Sequence, residues 1–382
     1  MQIVHSDRDL DAYMRQAVLA SPDHPDLHEP NHHNATENAA DPRATAEDRE
    51  IDVDALADGQ DVVIAGIMEH IEEAGVHSGD SGCSLPPVNL DDHVLAEIRR
   101  ITDRLARALG VVGLMNLQLA LQGDRVYVLE VNPRASRTVP FVAKAIGLPI
   151  AKIAARVAAG ERLRDLGVRE VVPRHVAVKV PVFPFAKFAG VDTILGPEMR
   201  STGEVMGIAA DFGAAFHKGL LAAGMRLPQA GAAFVSVRDD DKELVMPAVR
   251  HLVRLGFRLV ATRGTAAAIR ERGLDCAVIN KVKEGRPHIV DALVNGEIAL
   301  LINTTVGAQA IRDSFSIRRT ALTHKIPYFT TISGALAAAH AIEAARAGDE
   351  AMAVRALQDY HRAAGDRTEA PARRPGYRRD LS

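Results

Sequence analysis

The stretch Val-Tyr-Val-Leu-Glu-Val-Asn-Pro-Arg-Ala-Ser-Arg, Val126 to Arg137, decides how this chain is read. An apolar strand ends there by presenting Glu130, Asn132, Arg134 and Arg137 within eight residues. Side chains alternate along a strand, so Glu130 and Asn132 share a face. That face carries two hard oxygen ligands, which Mg²⁺ or Mn²⁺ prefers when it also holds nucleotide phosphates. Arg134 and Arg137 bring planar forks suited to a carboxylate or phosphate beside the metal. Upstream, Gly-Leu-Met-Asn-Leu-Gln-Leu-Ala (Gly113 to Ala120) is a second strand-like run, with Asn116 and Gln118 on one face. An edge strand with a solvated acidic end accounts for an isolated Glu-x-Asn, but not for the whole string.

On either side of this stretch the chain changes rhythm. Met1 to Val4 reads as a strand, followed by a helix with Leu10, Tyr13, Met14 and Val18 on one side. Residues 21–49 are polar and hold hardly any apolar residue, so a long solvated loop is expected. His28, His32 and His33 lie in it and are read as solvent-exposed. Ile51, Val53 and Ala55 alternate with Asp52 and Asp54 as in a half-buried strand, and 62–67 form another. Apolar spacing at Val94, Ile98, Ile101, Leu105 and Leu109 predicts a helix over 91–109. Strands at 111–120 and 125–132 follow, joined by a Gly123-Asp124 turn. One or two helices over 142–159 lead into a mixed segment that ends near Gly224. From about 231 to 340 strands alternate with helices, which implies a doubly wound parallel sheet.

Within that second region Thr262-Arg263-Gly264-Thr265 follows a strand and starts a helix. Free backbone N–H groups and the helix dipole favour a phosphate there. Lys242, Lys281, Asn303, Thr304 and Thr305 come from other strand ends and are expected to converge on the same point.

Several of these motifs resemble one family. Glu-Val-Asn-Pro-Arg-Ala-Ser-Arg-Thr-Val-Pro-Phe (Glu130 to Phe141) is similar to the metal-binding strand in the second ATP-grasp unit of the carbamoyl-phosphate synthetase large chain. Gly66 to Ser81 and Gly196 to Gly207 resemble the same unit, while Asn280 to Ile289 and Ile302 to Thr305 resemble its regulatory domain. The resemblance covers roughly 50–345, and 1–20 more weakly.

It implies a partial ATP-grasp domain over 1–159, a connecting segment over 160–224 and a methylglyoxal-synthase-like allosteric domain over 225–362. A disordered tail over 363–382 completes this division. The activity implied is ATP-dependent phosphorylation of carbamate to carbamoyl phosphate, feeding arginine and pyrimidine biosynthesis. The cofactors implied are ATP and Mg²⁺ or Mn²⁺. Gln118, Glu130 and Asn132 are then metal ligands, and Arg134 and Arg137 hold the carbamate. Glu50, His77 and Ser78, with Gln118 and Glu130, contact the nucleotide. Lys242, Thr262, Gly264, Thr265, Lys281, Asn303, Thr304 and Thr305 form an effector site for UMP or IMP. Glu72, Asp80, Leu195, Thr330 and Thr331 are the positions implied for ornithine.

The partners implied are a glutaminase small subunit and the N-terminal part of the large subunit. The resembled enzyme has a glycine-rich phosphate loop and a preceding lobe before the point matching Met1, so the isolated chain is expected to turn over slowly or not at all. An inactive fragment acting as a nucleotide-monophosphate sensor or docking module is the alternative.

Three departures qualify the match. The polar 21–49 segment replaces the apolar strand of the adenine hinge. Ala308 and Gln309 stand where some relatives place arginines, and Val180 where a carboxylate is expected. Methylglyoxal synthase chemistry ranks last, because the Asp239-Asp240-Asp241 run precedes Lys242 rather than following a strand end.

Composition narrows the classes further. The chain has 382 residues, 47% of them hydrophobic, enough for two or three cored domains. A net charge of −3 gives no electrostatic case for nucleic acid or an anionic membrane. No apolar run approaches the ~20 residues of a membrane span and no signal peptide begins the chain, so a cytoplasmic location is expected. Cys83 and Cys276, far apart, fit a reducing compartment. His70 and His77 lack the i, i+4 spacing of a helical zinc pair.

Overall fold

The computed structural model describes residues 49–188, 190–305, 308–348 and 352–365. The readings for 1–20, for all but the end of the polar 21–49 segment and for the tail beyond 365 fall outside those residues.

Strands β1 (Arg49–Asp58), β2 (Val62–Glu73), β3 (Cys83–Leu85), β4 (Val112–Gln122), β5 (Arg125–Asn132), β6 (Val176–Val182) and β7 (Gly203–Ala209) form one antiparallel sheet, ordered β5-β4-β1-β2-β3-β6-β7. The segment 160–224, read as a connector, thus contributes two strands to the sheet. Val176, Ala177, Val178, Lys179 and Val180 are all buried, so β6 is a strand covered on both faces, its apolar run interrupted by Lys179.

Helix α1 (Asp92–Ala108) covers one face of the sheet. Its stripe at Val94 and Ile98 packs with Ile51, Val53, Met115, Leu117 and Leu119. Asp92 in its first turn and Arg107 in its last complement the helix dipole. Gly110, at φ +59°, lets the chain turn off its C-terminus. Helices α2 (Val139–Ile146) and α3 (Ile150–Ala158) cover part of the other face, packing on Leu56, Met68 and Leu85. The rest of that face carries polar side chains.

The second sheet is parallel, ordered β10-β9-β8-β11-β12, from β8 (Ala232–Ser236), β9 (Arg258–Ala261), β10 (Ala277–Val278), β11 (Leu300–Asn303) and β12 (Tyr328–Phe329). Strand order reverses between β8 and β11, the crevice where doubly wound sheets bind ligands. Helix α4 (Phe212–Ala222) precedes this sheet. After β8 come two helices, α5 (Asp241–Leu244) and α6 (Met246–Arg254), with Pro247 at the start of the second. They are followed by α7 (Arg263–Glu271), α8 (Ile289–Val294), α9 (Ala308–Thr323), α10 (Ile332–Arg346) and α11 (Leu357–Gly365). No helix among the described residues is long and apolar enough to cross a membrane.

The two sheets share one core. Helix α4, which follows β7, packs against β6, β7 and α10. Val178, Phe216, Val235 and Leu336 belong to a single apolar cluster. Its packing is close: a Cβ at Gly207 would meet Ala215 O at 1.9 Å, and one at Gly213 would meet His340 O at 2.7 Å. Ser333 Oγ donates to Ile71 O at 2.5 Å, tying the start of α10 to β2. Helix α11 returns to the first sheet, where Tyr360 Oη donates to Ile208 O at 3.3 Å.

Candidate active site and effector site

Register builds the first site. Across β1, β4 and β5, Asp52 lies opposite Gln118 and Gln118 opposite Glu130. One step along, Asp54 lies opposite Asn116 and Asn116 opposite Asn132. Two rows of oxygen-bearing side chains therefore share the face that α1 does not cover. A register shift between Gln118 and Leu119 keeps this arrangement. It leaves Leu129 as the extra residue, so Val126 and Val131 both pack toward α1 while Glu130 and Asn132 face away.

These rows floor a cavity of about 480 Å³, whose walls include His77, Ser78, Arg134, Arg137, Lys179 and Met199. Gln118 Nε2 donates to Ser78 Oγ at 3.0 Å, tying the 77–79 turn to the sheet. Lys179 Nζ donates to Ser78 O at 2.7 Å from the far side. His77 Nδ1 accepts from Gly79 N at 3.0 Å. Glu130 and Arg134 are exposed and Asn132 is half-buried, so their polar atoms can reach a ligand. Arg137 contacts the Met199 sulfur.

Asp54 holds the turn after β5. Its carboxylate accepts from Thr138 Oγ1 at 2.6 Å, Ser136 Oγ at 2.7 Å and Asn116 Nδ2 at 3.0 Å. Burial pushes its pKa up to about 6 against the lowering effect of those bonds. The Asn-Pro-Arg-Ala-Ser-Arg turn is thereby fixed to β1, and with it the two arginines. Asp52 and Asp54 are each 1% exposed, so the polar face of β1 does not meet solvent as its alternation suggested: Asp52 lies at the cavity floor and Asp54 under the turn after β5.

A buried polar row continues from Asp52. His70 Nε2 lies 3.2 Å from Asp52 Oδ2, His70 pairs with Cys83, and Cys83 with Lys179. Burial opposes the His70 charge, but Cys83, Asp52 and Glu50 outweigh it and hold its pKa well above the ordinary value. Lys179 is likewise raised, its burial overcome by Cys83, Glu204, Asp52 and Glu72. Asp52, Asp54, His70 and Lys179 had not been singled out as site residues. The available signal was a pair of aspartates on one face of an apolar strand and a lysine inside the Val-rich run of β6.

His77, Ser78, Gln118, Glu130, Asn132, Arg134 and Arg137 all line the one cavity. Glu50 does not. It is 5% exposed at the start of β1, and burial raises its pKa.

Of the positions considered for ornithine, Glu72 lies near the end of β2 and Thr331 at the start of α10, two elements joined by the Ser333 bond. Glu72 accepts from Ser81 Oγ at 2.8 Å and Gly82 N at 2.6 Å. Asp80 accepts from the backbone of Arg200 at 2.7 Å and Ser201 at 2.8 Å. Thr331 caps α10, its Oγ1 accepting from Gly334 N at 3.1 Å, while Thr330 and Leu195 are half-buried. Both carboxylates thus brace loops. Val180 is buried in the shared core.

The second site lies at the strand ends of the parallel sheet. Thr262 is the N-cap position of α7, and its Oγ1 is 3.2 Å from Ser236 Oγ at the end of β8. Thr265 Oγ1 accepts from Val237 N at 3.3 Å. Asn303 Nδ2 donates to Ser236 O at 3.0 Å, and Thr304 Oγ1 accepts from Arg238 N at 3.2 Å. A Cβ on Gly264 would lie 3.4 Å from Lys242 Nζ, so the lysine reaches the open N-terminus of α7. Lys242 pairs with Asp239 at 2.7 Å. Lys281 is exposed, its backbone N–H donating to Glu284 at 2.9 Å, and Thr305 is half-buried. Asp241, buried, pairs with Arg238 at 2.8 Å and not with the open strand ends.

Two family models match the chain. Residues 42–166 match the carbamoyl-phosphate synthase L chain ATP binding domain, and residues 244–330 the MGS-like domain. Among curated proteins, the carbamoyl phosphate synthase large chain of Xanthomonas campestris pv. campestris is 54% identical over 369 residues, covering 95% of this chain and 33% of that protein. The Pseudomonas putida protein of the same name is 55% identical over 363 residues, covering 94% of this chain and 32% of its own length. That of Rhizobium meliloti is 58% identical over 317 residues, covering 81% and 27%. The chain thus spans about one third of the length of these relatives.

Proposed function

Because this chain belongs to the carbamoyl phosphate synthase large chain family, we propose that its sheet-face cavity binds Mg²⁺- or Mn²⁺-bound ATP for the phosphorylation of carbamate to carbamoyl phosphate. The observation that carries this reading is the in-register row of Gln118, Glu130 and Asn132, with Arg134 and Arg137 across the same cavity. The donor set fits a hard divalent cation, since these three side chains offer oxygen atoms on one face. A bound ion would neutralise charge on the phosphates during transfer. Glu130 and Gln118 hold it, with Asn132 beside them. Arg134 and Arg137 hold the carbamate oxygens in line with the γ-phosphate, on a turn that Asp54 keeps in place. His77 and Ser78 touch the nucleotide.

The whole reaction belongs to a larger assembly in this proposal. A glutaminase small subunit supplies ammonia, and the rest of the large chain covers the nucleotide. The parallel sheet takes a nucleoside monophosphate such as UMP or IMP at its strand ends. Glu72, Asp80, Leu195, Thr330 and Thr331 take a cationic effector such as ornithine. We assign 1–159 a catalytic role, 160–224 a connecting role in which β6 and β7 also complete the catalytic sheet, and 225–362 an allosteric role, in the cytoplasm.

One observation favours a sensor as the second reading. Every side chain lining the cavity projects from one sheet and its loops, whereas Thr262, Thr265, Asn303 and Thr304 are already bonded to residues 236–238 at the end of β8. Calorimetry with Mg·ATP and with UMP, followed by ATP formation from ADP and carbamoyl phosphate, tests both. Binding of both ligands with ATP formation supports the enzyme reading. UMP binding without any Mg·ATP binding supports the sensor.

A further inference from the structure

His251, His340 and Glu343 offer one ligand atom each, and these atoms all lie within 4.8 Å of one another. From this cluster we infer a binding site for a Zn²⁺-class divalent transition metal that clasps α6 to α10, separate from the nucleotide and effector sites. His251 projects from α6 and is 2% exposed. His340 and Glu343 are three residues apart on α10, which puts them on one helix face. His251 Nε2 is 3.1 Å from Glu343 Oε2, and His340 Nδ1 is 4.0 Å from the same oxygen. Two ligands on a tetrahedral zinc, each at about 2.1 Å, sit about 3.4 Å apart, so the observed separations bracket the required one. The imidazoles meet edge to face with centroids 4.6 Å apart.

The chemistry selects the metal. Two imidazoles and a carboxylate suit zinc and its neighbours, whereas Mg²⁺ prefers oxygen and keeps its waters. The ion of the ATP cavity therefore does not compete here. Three protein ligands leave one position for water, and the exposed Glu343 gives the metal a way in.

Position gives the clasp a consequence. Helices of a parallel sheet run back against the strands, so the C-terminal parts of α6 and α10 lie at the rim opposite the phosphate site. The other end of α10 is bonded to β2 through Ser333. A metal at His340 thus holds the far half of the helix that joins the two sheets.

The test uses the full chain, stripped with chelator and titrated with ZnCl₂ by calorimetry and with CoCl₂ by visible absorption. The expected result is tetrahedral Co²⁺ absorption, a rise in Tm with Zn²⁺, and no displacement by excess Mg²⁺. His340→Gln should lower the zinc stoichiometry by one. Glu343→Gln, at an exposed position that leaves the fold intact, should weaken that binding at least about tenfold, as removal of a ligand must exceed loss of an outer partner. Histidines outside the described residues supply an internal control, because zinc held there is unaffected by either change. The proposal is overturned if the parent shows no tetrahedral Co²⁺ spectrum, or if both variants keep the parent's stoichiometry and affinity. His251 and Glu343 would then form only a hydrogen-bonded pair.

Discussion

The two candidate sites are built in opposite ways. The antiparallel sheet offers its face, where cross-strand partners such as Gln118 and Glu130 stand side by side. The parallel sheet offers its rim, where Thr262, Asn303 and Lys242 arrive from different strands at one point. A face site gets its geometry from register and needs a cover to exclude water. A rim site gets its geometry from strand order and a helix N-terminus, and needs none. Under the proposed function, the difference separates a site that needs something to close over it from one that binds by itself.

The sharpest test of the face site is its anchor. Asp54→Ala removes the acceptor of three donors and should cost on the order of 3–4 kcal/mol, read by urea denaturation. Asp54→Asn isolates the charge. The folded pKa of about 6 lies above the unfolded 3.8, so the group's stabilising contribution is full below about pH 4 and lost as pH rises through 6. Subtracting the Asp54→Asn profile from that of the parent should leave a fall of a few kcal/mol across this window. A flat difference would show that the carboxylate is not buried as described.

Glu130→Ala should weaken Mg·ATP binding by about a hundredfold, as expected for a metal ligand, and leave UMP binding unchanged. Lys242→Ala should do the reverse, weakening UMP by about tenfold with Mg·ATP unaffected. If either substitution moves both affinities alike, the separation between face and rim sites fails. The smallest effect is expected at the seam. Ser333→Ala loses one bond to Ile71 O, about 1 kcal/mol of stability. It should also reduce the change that UMP makes in Mg·ATP affinity, measured by calorimetry with and without UMP.

Much of the second sheet was legible because its rhythm is local: strand, turn and helix each announce themselves within about a dozen residues. The strand proposed to hold the metal stood out for another reason, since Glu130, Asn132, Arg134 and Arg137 have no packing motive for being so close. What escaped was set by long-range register. Whether Asp52 faces water or a cavity depends on strands far away in the chain, and the extra residue at Leu129 is visible only against its partner strand. Strands β6 and β7 escaped because β6 is buried on both faces, so no period distinguishes it. Lys179 became a site residue only when β3 placed Cys83 and His70 beside it.

The apolar cluster running from Val178 to Leu336 has a consequence for how the chain folds. Two sheets that share a core cannot be independent cooperative units, since melting one strips the cover from the other. Heating should therefore produce one calorimetric transition. A chain cut near residue 225 should yield halves that aggregate, each exposing the helix face that the other had buried.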